Sequence, residues 1–151
     1  MRRGLVATAA ILSLLASLAS LAPPAASATR PTGIERGILH TVNEARAARS
    51  LPPVRFASPL QRSAHRYAAR LLRTDAFDHA AIGPGTRENL AWATTGAVRP
   101  RRIVRMWLTS PAHCRTLVWR AARRAGVGAV RGPYRGYSDA IVVVLRVRSA
   151  R

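Results

Sequence analysis

The chain has 151 residues, with 25 Lys and Arg against six Asp and Glu, and a formal charge of +19. Its single cysteine, Cys114, excludes an intramolecular disulfide framework, so a domain of this size must hold itself together by packing. All the cations are arginines; such an excess is read either as a surface that draws anionic polymers or lipid headgroups or as a merely solvated basic surface, and the lack of aromatics interleaved with them argues against specific nucleic-acid recognition.

Met1-Arg2-Arg3 is a short positive start, Gly4 to Ala22 is an apolar run, and Pro23-Pro24 leads to Ala26-Ser27-Ala28, an A-x-A cleavage site. This pattern predicts a signal peptide over residues 1–28, a mature chain starting near Thr29, and a secreted, extracellular protein. The alternative is an uncleaved anchor, since the apolar run is long enough to span a bilayer. The small residues and the clean cleavage site favour removal. No second long apolar segment follows, so no transmembrane segment is expected after cleavage.

Residues 29–33 read as a short leader and 34–151 as one domain. Ile34, Ile38, Val42 and Ala45 recur at helical spacing through Arg49, and Leu51-Pro52-Pro53 ends that helix. Ser58-Pro59, a cap followed by proline, opens a second helix with Leu60, Ala64, Tyr67 or Ala68, and Leu71 on its apolar stripe, ending near Thr74. Ala80 to Arg87 is turn-rich, and Glu88 to Thr95 reads as a short extended segment. Pro100 opens a third helix burying Ile103, Val104, Trp107 and Leu108. Ser110-Pro111 repeats the cap-plus-proline signal and puts His113 at the third position of a short fourth helix. Gly126 to Val130 is a strand, Arg131 to Gly136 a turn, and Tyr137 to Val147 a β-branched strand. Its run Ile141 to Leu145 is apolar without alternation, which implies burial on both faces. Helices must then cover both sides of the sheet, so the fold class is α+β, a three-layer α-β-α sandwich.

Phe77-Asp78-His79, Glu88-Asn89-Leu90 and Trp107-Leu108-Thr109-Ser110-Pro111-Ala112-His113 follow in order and are succeeded by Gly126-Val127-Gly128. Together with Asn43 and Arg46 in the first helix, this ordered set resembles the CAP superfamily of cysteine-rich secretory proteins, antigen 5 and pathogenesis-related proteins. The likeness runs from Ile34 to Leu145 and is closest to the bacterial branch. The resemblance implies an α-β-α sandwich with a surface cleft in which two His and two Glu can hold a divalent ion. His79, Glu88 and His113 match three of those positions. Ser110 stands where the second Glu is expected, and its hydroxyl is a candidate cap for backbone amides.

His79, Glu88, Ser110 and His113 are therefore the expected cleft. His79, His113 and Glu88 form a possible weak site for a divalent metal such as Zn, with one coordination position open. Three readings of the function follow. The first is an extracellular binding module for a lipid, a wall component or another protein, built on a pre-organised polar cluster. The second is a metal-assisted hydrolase using the same residues, and the third a charge-driven polyanion binder. The loss of the second Glu favours recognition over catalysis. Ser110 and His113, three apart on a helix, can approach each other, but no Gly-x-Ser-x-Gly elbow supports a serine hydrolase. Cys114 points about 100° away from His113 and is a candidate for linking two chains. His40 and His65 fit no motif.

Overall fold

The computed structural model describes residues 31–150 except 95 and 97; the signal segment at 1–28 and the start of the leader lie outside the described residues. Helix α1 spans Gly33–Ala47, with Thr32 and Glu35 forming a reciprocal capping box. Strand β1 is only Arg55–Phe56, and α2 follows at Ser58–Thr74. Ser58 lies inside α2 rather than capping it. The cap is Ala57, which supplies no side-chain hydrogen bond. Strand β2 is Thr86–Thr94, α3 Pro100–Thr109, α4 Pro111–Leu117, β3 Ala122–Tyr134 and β4 Tyr137–Ser149.

The four strands lie in the order β1-β3-β4-β2, with β1 parallel to β3 and the other pairs antiparallel. Arg135 and Gly136, both at positive φ (50° and 80°), make the tight turn between β3 and β4. The β3 strand is longer than the expected Gly126–Val130 at both ends, and the expected turn at 131–136 shrinks to two residues. The flanks escaped the pattern because their outward positions carry Arg123, Arg124 and Arg131, which dilute the apolar signal.

Ile38, Val42, Ile103, Val104, Trp107 and Leu117 of α1, α3 and α4 pack on one face of the sheet against Val127, Val143, Leu145 and Val147. The other face, with Leu90, Val142 and Val144, packs on Ala64, Tyr67, Ala68 and Leu71 of α2. The chain is thus the expected α-β-α sandwich, and Ile141 to Leu145 is buried throughout. Gly126 and Gly128 set the spacing of α2. A Cβ on Gly126 would lie 2.1 Å from the Gln61 nitrogen, and one on Gly128 would lie 2.2 Å from that of His65. The helix backbone therefore rests directly on β3.

Beyond Ala125 the outer edge of β3 has no strand partner among the described residues. Its Val127 N–H donates to Gln61 Oε1 (3.3 Å) and its Ala129 N–H to Glu35 Oε1 (2.9 Å). Asn43 holds Val54 by two hydrogen bonds, from Nδ2 to the carbonyl and from the Val54 N–H to Oδ1. Arg46, fully buried, donates to the carbonyls of Pro52, Leu117 and Trp119. Burial holds its pKa below the ordinary arginine value, as does the nearby charge of Arg123. Asn43 and Arg46 thus tie the loop after α1 to the end of α4. No helix among the described residues is long and apolar enough to cross a membrane.

Candidate functional site

The segment from Ala76 to Gly85 carries His79 and has no regular structure. Two tyrosines fix its course by its carbonyls: Tyr134 OH donates to Ala76 O (2.5 Å) and Tyr67 OH to Asp78 O (2.8 Å). Burial raises the pKa of both phenols, so they stay protonated donors. His79 Nδ1 then lies 3.0 Å from Glu88 Oε1. A carboxylate only accepts, so the ring proton sits on Nδ1. The imidazole is 58% exposed while the Glu88 side chain is 1% exposed, so a buried carboxylate holds a solvent-facing ring.

Successive residues of β2 face opposite sides of the sheet, and each of the three in Glu88-Asn89-Leu90 has a separate task. Glu88 faces α2. Besides His79, its Oε1 accepts from the Ala80 N–H (3.1 Å), and its Oε2 accepts from Arg146 Nε (3.0 Å). Arg146 is the register partner of Glu88 on β4; it also donates to Ser63 Oγ (2.9 Å) and lies over the Tyr67 ring. Asn89 faces the other side, donating from Nδ2 to His113 O (2.9 Å), and its buried Oδ1 has no hydrogen-bond partner among the described residues. The Leu90 carbonyl accepts from Trp107 Nε1 (2.8 Å), which seats the end of α3 on the edge of the sheet.

Ser110 and His113 arrive at that edge on the cap and first turn of α4. Ser110 is the cap residue, but its hydroxyl makes no capping bond. Its Oγ lies 2.9 Å from His113 Nδ1 instead, so the expected commitment to backbone amides is corrected. Burial is the first cause holding the His113 pKa below 6.5; the charge of His79 is the second. His79 is tied to Glu88 and the His113 carbonyl to Asn89, so adjacent residues of β2 hold the two segments.

The donors do not fit a divalent ion. Both oxygens of Glu88 already accept from His79, Ala80 and the Arg146 guanidinium, so a fixed cation stands where a metal would need the carboxylate. Among the described residues no three His, Cys, Asp or Glu side chains are grouped so as to hold a metal ion. Among the expected ligands, His79 and Glu88 form a chain with Arg146, and His113 pairs with Ser110. Cys114 is a half-buried free thiol. His40 lies beside Glu44 (3.3 Å) and His65 beside Glu35 (3.5 Å), both away from the cleft.

Arg146 and Ser63 join this hydrogen-bonded group without having been singled out by sequence, and Tyr67, expected only on the apolar stripe of the second helix, joins it as well. Arg146 had a signal: it breaks an apolar run at a position that must pair with an acid on the neighbouring strand once β2 and β4 are in register. Ser63 and Tyr67 carried none beyond their helical spacing.

The sequence profile of the cysteine-rich secretory protein family, CAP, matches residues 39–146. An outer surface protein from Borrelia burgdorferi is 24% identical, with a TM-score of 0.55 over 74% of this chain and 90% of its own. An extracellular protein containing an SCP domain, from Bacillus anthracis, gives a TM-score of 0.63 at 16% identity, over 78% of this chain and 41% of that one. NaASP2, solved with Zn²⁺, gives 0.56 at 13% identity, over 78% and 82%. Likeness at these identities speaks to the fold. No curated protein matches the chain significantly. The profile match covers most of the sheet together with His79, Glu88, Ser110 and His113, and the chain belongs to the cysteine-rich secretory protein (CAP) family.

Proposed function

We propose that the chain is a secreted binding module that takes an extracellular ligand at the β2 edge, through His79, Ser110 and His113, with Glu88 as the buried anchor. The observation that carries this reading is the contrast within one hydrogen bond: an exposed imidazole held by a carboxylate that is itself fully enclosed. Such an arrangement presents a polar group to solvent at a fixed angle, which lowers the ordering cost of binding. Catalysis is less well supported, because Glu88 spends both oxygens on donors and is not free to act as a general base. Export rests on the expected signal segment at 1–28, and the Trp107 to His113 block supports a place in the bacterial branch. The ligand class that fits is a wall component with hydrogen-bonding groups, which the imidazoles and the Ser110 hydroxyl would meet.

Co-sedimentation of residues 29–151 with purified cell-wall sacculi tests the proposal. The wild type is expected in the pellet and the His79→Ala/His113→Ala double variant in the supernatant, with unchanged circular dichroism. Equal pelleting of the two proteins would sink it. Turnover of wall peptides that is lost in the same double variant would instead establish the hydrolase.

A further inference from the structure

The β-sheet carries a second arrangement, one row away from the cleft. Arg55 on β1 is the register partner of Arg124 on β3, and Arg124 is the partner of Arg148 on β4. Register partners point to the same face of a sheet. That face is the α2 side, because Gly126, two residues beyond Arg124, abuts the α2 backbone, and Arg146, two before Arg148, touches Ser63. Three arginines therefore stand in line across three adjacent strands, about 4.8 Å apart from one strand to the next.

No acidic side chain among the described residues neutralises them. Arg55, Arg124 and Arg148 make no ion pair among the described residues. The chain has only six acidic side chains, and these lie elsewhere: Glu35 on the β3 edge, Glu44 beside His40 and Arg101, Asp75 on the Arg135 N–H, Glu88 on Arg146 and Asp139 on Arg131, while Asp78 lies on the His79 loop. Like charges on directly opposed strands destabilise a sheet, and arginine cannot relieve the repulsion by losing its proton. The row is also concave. A depression of about 340 Å³ opens between Arg124 and Arg148, and another of about 430 Å³ between Arg55 and Arg124. The first turn of α2, uncapped by any side chain, borders Arg148 and adds the positive end of a helix.

We infer that the Arg55–Arg124–Arg148 row is a binding site for a linear polyanion bearing successive phosphate groups. Guanidinium forks match phosphate oxygens pairwise, and a comb of three fixed forks suits a chain of closely spaced anions better than one isolated ion. Concavity favours a soluble chain over a flat bilayer. Arg101, Arg102 and Arg105 on α3 make a second basic surface, on the opposite side of the sheet, but one of them is already beside Glu44. They serve as the charge-matched control.

The experiment measures binding of inorganic polyphosphate to residues 29–151 by titration calorimetry at several salt concentrations. Replacing Arg55, Arg124 and Arg148 together by Ala is expected to weaken binding at least about tenfold and to flatten the log–log salt slope by about two. The Arg101→Ala/Arg102→Ala/Arg105→Ala variant, which loses the same charge, is expected to bind within about twofold of wild type. His79→Ala is expected to bind unchanged, which separates this site from the cleft. Equal losses in the two triple variants, or no binding by the wild type, overturn the inference. Binding to vesicles of anionic phospholipid without binding to soluble polyphosphate overturns it in favour of a membrane. Should the row variant fold poorly, amide shift changes in the wild type decide the matter: they must centre on Arg55, Arg124 and Arg148, and a centre on α3 refutes the site.

Discussion

Glu88 and Arg146 are register partners on β2 and β4, and their side chains meet at 2.9 Å with the carboxylate 1% and the guanidinium 11% exposed. The other contacts of the pair reach His79, Ala80, Ser63 and Tyr67. One ion pair thus joins the β2 edge, the His79 loop and α2. It also gives the buried carboxylate a resident cation.

Removing one member should leave an uncompensated buried charge, a change that typically costs about 3–5 kcal/mol. Arg146→Met is expected to lower the urea-unfolding free energy by about that much, and Glu88→Gln/Arg146→Met to recover most of it. A double variant as unstable as the single one would show that packing of Arg146 on Tyr67, rather than the charge pair, dominates.

With its carboxylate occupied, the cleft should bind zinc weakly or not at all. Titration of residues 29–151 with Zn²⁺ is expected to give no saturable heat and no rise in the unfolding midpoint. A saturable heat that vanishes in His79→Ala would mean that the metal displaces Arg146 and would refute the resident-cation reading.

The layer order was legible because the apolar run from Ile141 to Leu145 has no alternation and thus demands cover on both faces. The starts of α3 and α4 were legible because proline marks the first turn of each. What sequence could not reach depends on register and on direction. The Glu88–Arg146 pair exists only once β2 and β4 are aligned, 58 residues apart in the chain. The Ser110 hydroxyl had two local partners available, backbone amides and His113, and the cap signal alone could not choose between them. Glu35 was similar: with Thr32 it forms a capping box, but its second task, at the Ala129 N–H, lies 94 residues away.

Gly126 and Gly128 are required for close approach rather than for an unusual φ. A methyl at Gly128 would sit 2.2 Å from the His65 nitrogen and 2.3 Å from the Ala64 carbonyl carbon, and helix backbone cannot yield as a flexible side chain can. Gly128→Ala is expected to destabilise by about 3 kcal/mol or more, at the upper end of overpacking costs. Gly83→Ala, with nothing within 4 Å of the added carbon, is expected to change stability by less than about 0.5 kcal/mol. Near-equal effects of the two substitutions would contradict the direct seating of α2 on β3.

His113 supplies a pH dependence whose sign is fixed by its surroundings. Burial first, and the His79 charge second, hold its pKa below 6.5 in the folded chain. The unfolded chain therefore takes up the proton first as the pH falls. The stability contributed by the neutral ring is complete above about pH 6.5 and is lost as the pH drops through the lower folded value. His113→Gln should flatten the unfolding midpoint across that window. In an NMR titration, the His113 ring is expected to titrate below about 6.5 in the wild type. In His79→Ala its pKa should move up but stay depressed, because burial is the larger cause. A His113 that titrates at its ordinary value in the wild type would separate it from both the buried edge of β2 and the field of His79.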